Sequence, residues 1–214
     1  MYSCLTPESA TPIKLSRNRQ HVLPLGHLAF AYLWYVPYAA VRTRRLPAQL
    51  ALVPLAIGSQ FPDMIDKPLA YLGILPYGRS LAHSVFAFAL CSLTLWWVGH
   101  QLRDRWQADS RIEWVRRVTP AAFVLGYASH LIGDSYRFLL AGEFWSARFL
   151  VYPLVSLPTS PADDIPPWIR LFNIYRDMGA HPQLALIGVA GVVFVGLRAR
   201  HYWNTRQTLE ADSR

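Results

Sequence analysis

VTPAAFVLGYASHLIGDSYRFLL, residues 118–140, is apolar enough and long enough to cross a bilayer, yet it carries His130, Asp134 and Arg137. A spanning helix needs about 20 mostly apolar residues. An ionisable group at its centre costs roughly 2.5–3.5 kcal/mol or more, so such residues pair, bind ions or do chemistry. His130 and Asp134 stand four apart, which on a helix puts them on one face with Cβ atoms roughly 5–6 Å apart. That spacing suits imidazole and carboxylate sharing one divalent ion, or a carboxylate orienting a metal-bound histidine. A plain buried His–Asp hydrogen bond is the competing reading.

Working outward, four more apolar runs flank this one. Residues 24–41 form the first, closed by Arg42, Arg44 and Arg45. Residues 46–65 form the second; Pro54, Gly58 and Pro62 interrupt it, so a broken or re-entrant helix is expected. Residues 81–99 are the third and cleanest. Residues 183–197 are the last and shortest, with Gly188, Gly191 and Gly196 offering close helix packing. The fold expected is all-α, a polytopic transmembrane bundle of about five apolar helices. Between the last two, residues 141–182 are rich in Pro and aromatics and read as interfacial helices and loops forming a lid. Residues 1–20 and 201–214 read as mobile ends around one membrane-embedded domain, residues 21–200. The first twenty residues lack the apolar core of a cleavable signal peptide.

Composition agrees. Of 214 residues 53% are apolar and 16% charged, with a net charge of +8. Mean hydropathy is only +0.18, so the extramembrane part is substantial. The basic residues are mostly Arg, clustered beside the apolar runs, as at Arg103 and Arg105, Arg116 and Arg117, Arg198 and Arg200. This reads as a topology signal and a lipid contact, not a nucleic-acid surface. Cys4 and Cys91 make neither a disulfide framework nor a CxxC zinc motif. Cys91 reads as a small packing residue.

Alternating spans bring the polar residues to one side. His27 begins the first run; Asp63 and Asp66 end the second; Arg79 and His83 open the third; His130 and Asp134 lie late in the fourth; residues 141–182 follow on the same side. The opposite side holds the denser arginines, so the positive-inside rule puts it in the cytoplasm and the cluster near the extracytoplasmic face of the cell membrane. Lys14, Arg17 and Arg19 pull the other way.

Each motif has its own chemistry. In GSQFPDMIDKP, Asp63 and Asp66 repel unless a cation or proton lies between them; solvated acids at a helix end are the alternative. Pro62 and Pro68 should end helical pairing there. In GRSLAHSVF, Ser80 is the candidate N-cap. Arg79 and His83 are neighbours on a helical turn, and Arg is a natural clamp for a phosphate oxygen; an Arg snorkelling to headgroups is the alternative. In PLGHLAFAY, His27 gains meaning only from company, as do Tyr127, Ser84 and Ser129. HExxH, GxSxG and P-loop motifs are absent. His21, His100, His181 and His201 read as surface or interfacial.

The ordered set GH-L-x-F, PD-x-x-D, R-x-x-x-HS and GY-x-SH-x-x-x-D resembles the YdjM-type membrane-bound, metal-dependent hydrolases over nearly the whole chain. That family is remotely similar to zinc-dependent phospholipase C and related nucleases. The resemblance implies metal ligands at His27, Asp63, His83, His130 and Asp134, a second acid at Asp66 and an arginine at Arg79. Lys67 and Gly78 stand where many members have His, which favours one or two ions over a larger cluster.

The function expected is hydrolysis of a phosphoester or lipid-like substrate near the interface, using a divalent metal, Zn2+ first. Asp66 would take a proton or hold a second ion, and Arg79 would stabilise developing negative charge. Two alternatives stand: an ion- or proton-coupled carrier, whose polar trail would reach both faces, and a structural bundle braced by His–Asp pairs.

Overall fold

A computed structural model describes residues 23–43, 49–105, 110–176 and 183–212. Within them the chain is helical: α1 Pro24–Thr43, α2 Gln49–Tyr71, α3 Val85–Arg105, α4 Ser110–Leu140, α5 Pro167–Arg176 and α6 Gln183–Asp212. Two short 3-10 helices, Phe144–Val151 and Pro161–Asp164, lie between α4 and α5. His21 and His181 fall outside the described residues, as do residues 1–20. His100 and His201 are exposed, away from the polar cluster.

Four expectations are corrected. α2 is not broken: one helix runs through Pro54, Pro62 and Pro68. Each proline removes one ladder bond and loosens its turn, but packing against α4, the most extensive helix contact in the fold, holds the rest. Asp63 and Asp66 therefore lie inside a helix. Second, α3 starts at Val85, and its N-cap is Ser84, whose Oγ accepts from Ala87 N at 3.1 Å. Ser80 instead donates to the Tyr77 carbonyl, and Arg79 and His83 sit in the connection before α3. Third, among the described residues no atom lies within 4 Å of where a Cβ on Gly188, Gly191 or Gly196 would be, so these glycines make no close helix contact there. Fourth, α6 continues as helix to Asp212, through most of the expected tail.

The two helices that carry Asp63, Asp66 and Asp134 stop on glycine. Gly73 and Gly142 have φ of 70° and 72°. After α2, Ile74 N bonds Leu69 O and Gly73 N bonds Ala70 O; after α4, Glu143 N bonds Phe138 O and Gly142 N bonds Leu139 O. These are Schellman closures, which satisfy the last carbonyls.

The apolar core is built on α1. Ala29, Ala31, Tyr32, Tyr35 and Ala39 pack with Ala51 and Leu55 of α2, Ala122 of α4 and Ala190 of α6. Its small residues let the helices lie close. The outside is apolar too: Leu90, Leu93, Trp96 and Trp97 of α3, and Val189, Val192 and Val195 of α6, are exposed. Such a surface suits lipid, not water. Of the described helices, only residues Gln183–Gln207 are long and apolar enough to span a membrane by length and composition alone. Polar residues lower the hydropathy of α2 and α4.

Candidate metal centre

Two glycines set the site. A Cβ on Gly58 would strike the Phe123 carbonyl, and one on Gly126 the Leu55 carbonyl. α2 and α4 cross backbone to backbone there, one residue before Ser59 and one turn before His130. His130 Nδ1 donates to the Ser59 carbonyl at 2.6 Å. That bond fixes the tautomer and turns the Nε2 lone pair toward Asp63 and Asp134.

α1 is pinned beside them. Gln60 Nε2 donates to the Pro24 carbonyl at 2.9 Å, and Leu23 N donates to Gln183 Oε1 at 2.6 Å. His27 then stacks on His130, with centroids 4.0 Å apart. Its ring lies over Gly133, where a Cβ would come within 3.1 Å of Nδ1.

The connection between α2 and α3 wraps around Asp66. Both of its oxygens are engaged: Oδ1 accepts from Ala82 N at 2.8 Å, and Oδ2 from Ser80 N at 2.7 Å and His83 N at 3.1 Å. His83 Nδ1 adds a 2.7 Å bond to Oδ2. Tyr127 donates to the Ala82 carbonyl, and Phe149 packs its edge on the His83 ring. His83 Nε2 is thus aimed at Asp63 Oδ1 and Asp134 Oδ2, both 3.5 Å away, and at His130 Nε2, 3.2 Å away.

All five expected ligands converge. Two groups within coordination reach, His27–His130–Asp134 and Asp63–His83–His130, share His130. His130 Nε2 lies 3.8 Å from Asp63 Oδ1 and 3.9 Å from Asp134 Oδ2. His27 Nε2 is 3.3 Å from Asp134 Oδ1, in ion-pair range, and among the described residues both Asp134 Oδ1 and His27 Nδ1 are buried with no hydrogen bond. Burial alone would push the His83 imidazole down; hydrogen bonds to Asp134, Asp63 and Asp66 outweigh it and lift it to about 10. The surrounding carboxylates therefore favour positive charge at His83. The cluster's donor set of imidazole and carboxylate, with orphaned buried atoms, fits a divalent ion.

Asp66 and Arg79 stand differently. Asp66 faces the back of His83, not the ligand cluster. Arg79 Nε donates to Asp134 Oδ2 at 2.7 Å, with its side chain a quarter exposed. Sequence reasoning missed three groups: the Ser59 carbonyl, Phe149 and Asp163. Asp163 is buried, accepts from Gly78 N at 2.9 Å and pairs with Arg170 at 2.7 Å, so residues 161–170 brace the Arg79 connection. A buried acid in a Pro-rich segment was the one available signal.

The chain matches the YdjM inner membrane protein family over residues 22–202. It belongs to that family. The protein is accordingly a membrane protein whose buried His and Asp groups could hold a metal ion. No curated protein and no solved structure matches it.

Proposed function

We propose that this YdjM-family protein is a multi-pass membrane hydrolase using a divalent metal, Zn2+ by its donor set, on a phosphoester or lipid-like substrate near the membrane interface. The observation that carries this is the meeting of His27, Asp63, His83, His130 and Asp134, from three helices and a connection, with lone pairs turned inward. Lone pairs of imidazole nitrogens and carboxylate oxygens this close repel unless a proton or a metal ion lies among them. A divalent ion held there would polarise a phosphoryl or acyl oxygen and make water acidic near neutral pH.

The chain's own groups take the remaining roles. Asp66 holds His83 in the ligand tautomer; with both oxygens engaged it suits orientation better than proton exchange with water. Arg79, fixed by Asp134 and partly exposed, can meet developing negative charge. Phe149 excludes water from the back of His83. Against the carrier reading, the buried His and Asp side chains among the described residues lie at the site or at Asp163, so no row of them continues through the core.

Metal content after purification without chelator tests this. The parent should carry at least one divalent ion per chain, and His130→Ala and Asp63→Ala should lose most of it. A parent without stoichiometric metal, or variants that keep it, would overturn the proposal. So would a metal-loaded parent that hydrolyses no phosphoester or acyl ester.

A further inference from the structure

Most polar groups at the site are buried; Asp63 is slightly exposed, and two others much more so. Lys67 Nζ sits 2.6 Å from Asp63 Oδ2 with its side chain 26% exposed, and Arg79 Nε sits 2.7 Å from Asp134 Oδ2 with 25% exposed. His83, His130 and Asp66 are fully buried. The two cations thus flank the cluster on its accessible side, each fixed by one of the two carboxylates. Asp63 presents Oδ1 to His83 and His130 and Oδ2 to Lys67, so the lysine occupies the oxygen a second ion would need.

Charge counting narrows the ligand. Three carboxylates, Asp63, Asp66 and Asp134, face two fixed cations, Lys67 and Arg79, leaving one negative charge. One divalent ion with neutral imidazole ligands turns that into a single positive charge. Two ions would leave three positive charges in a buried site, which desolvation opposes. A singly charged anion balances the one-ion site.

We propose, resting on the metal-site reading above, that Lys67 and Arg79 form a two-cation entrance selecting a singly charged phosphodiester, with Lys67 standing in for a second metal ion. Arg79 offers the planar donors and Lys67 the point charge that phosphate oxygens take. The ester could come from a lipid headgroup or a soluble diester. Exposed Phe144, Trp145, Trp168 and Phe172 lie on the segment that packs over this end of the bundle, where aromatics mark a membrane interface.

Binding to the full-length metal-loaded protein in detergent tests the pair, read by phosphorus NMR. Dibutyl phosphate, a monoanion, should bind at least about tenfold more tightly than neutral tributyl phosphate. Lys67→Met should abolish most of that preference while keeping its metal, and Lys67→Arg should restore it. Displacement by phosphatidylglycerol in mixed micelles would assign the headgroup source; displacement only by soluble glycerophosphodiesters would assign the other. Equal binding of charged and neutral esters to metal-loaded parent, or an unchanged preference in Lys67→Met, would overturn the entrance while leaving the metal site standing. A second equivalent of bound metal in the parent would also overturn it. A parent that binds no metal would instead sink the reading beneath it.

Discussion

Asp66 shows how much a role depends on which oxygen faces which partner. Three backbone N–H groups and one imidazole converge on its carboxylate, which makes it the hub of residues 80–83. Asp66→Asn keeps the shape but removes the charge that orients His83 Nδ1. Metal affinity should fall about 10–100-fold, as for other partners of a ligating histidine. A group that only shuttled protons would leave metal content untouched, so equilibrium dialysis of the variant against a competing chelator separates the roles. The five side chains that meet could be singled out in the sequence because His and Asp inside apolar runs are costly without a partner. The partners of Asp66 and Lys67 could not, because i, i+3 and i, i+4 spacing says nothing about which neighbour each oxygen or ammonium meets.

At the scale of elements, the α2–α4 crossing decides whether a site exists. Gly58 and Gly126 touch the opposing backbone, and Ser59 and His130 ride on the same turns. Gly126→Ala puts a methyl group where no flexible side chain can yield. It should destabilise by about 1–3 kcal/mol and lower metal content with it, because His130 would lose the Ser59 carbonyl. Gly191→Ala, on an open face of α6, should leave both unchanged or raise stability slightly. Thermal unfolding in detergent, with metal content read on the same samples, checks the pair. The apolar runs foretold the long helices, although α4 begins at Ser110, well before the run that starts at residue 118. They misjudged α2, since local proline rules cannot weigh the packing that carries a helix through three prolines. They also opened α3 too early, because the chain through 80–83 is spent on Asp66 and becomes helix only after Ser84.

For the whole molecule, the ligands gather at the start of α1, the end of α2, the connection before α3 and the late part of α4. Alternating spans would put all of these on one side. Single cysteines at Asp164 and Gln101, in a background lacking Cys4 and Cys91, test that arrangement. Both positions are exposed, and Asp164 lies beside the brace while Gln101 lies near the far end of α3. An impermeant thiol reagent applied to intact cells should reach only one of them; labelling of both from the same side would defeat the multi-pass arrangement. Periodicity, hydropathy and the cost of buried charge are local quantities, so residue order alone was enough for the helical fold of the described residues, the membrane setting and the residue types able to bind a metal. That five of those side chains meet, that Asp66 stands behind them and that Lys67 and Arg79 pair with Asp63 and Asp134 while staying partly exposed came from the packing. Such facts depend on how closely two helix backbones approach, and that distance is set by contacts between residues 60 or more positions apart.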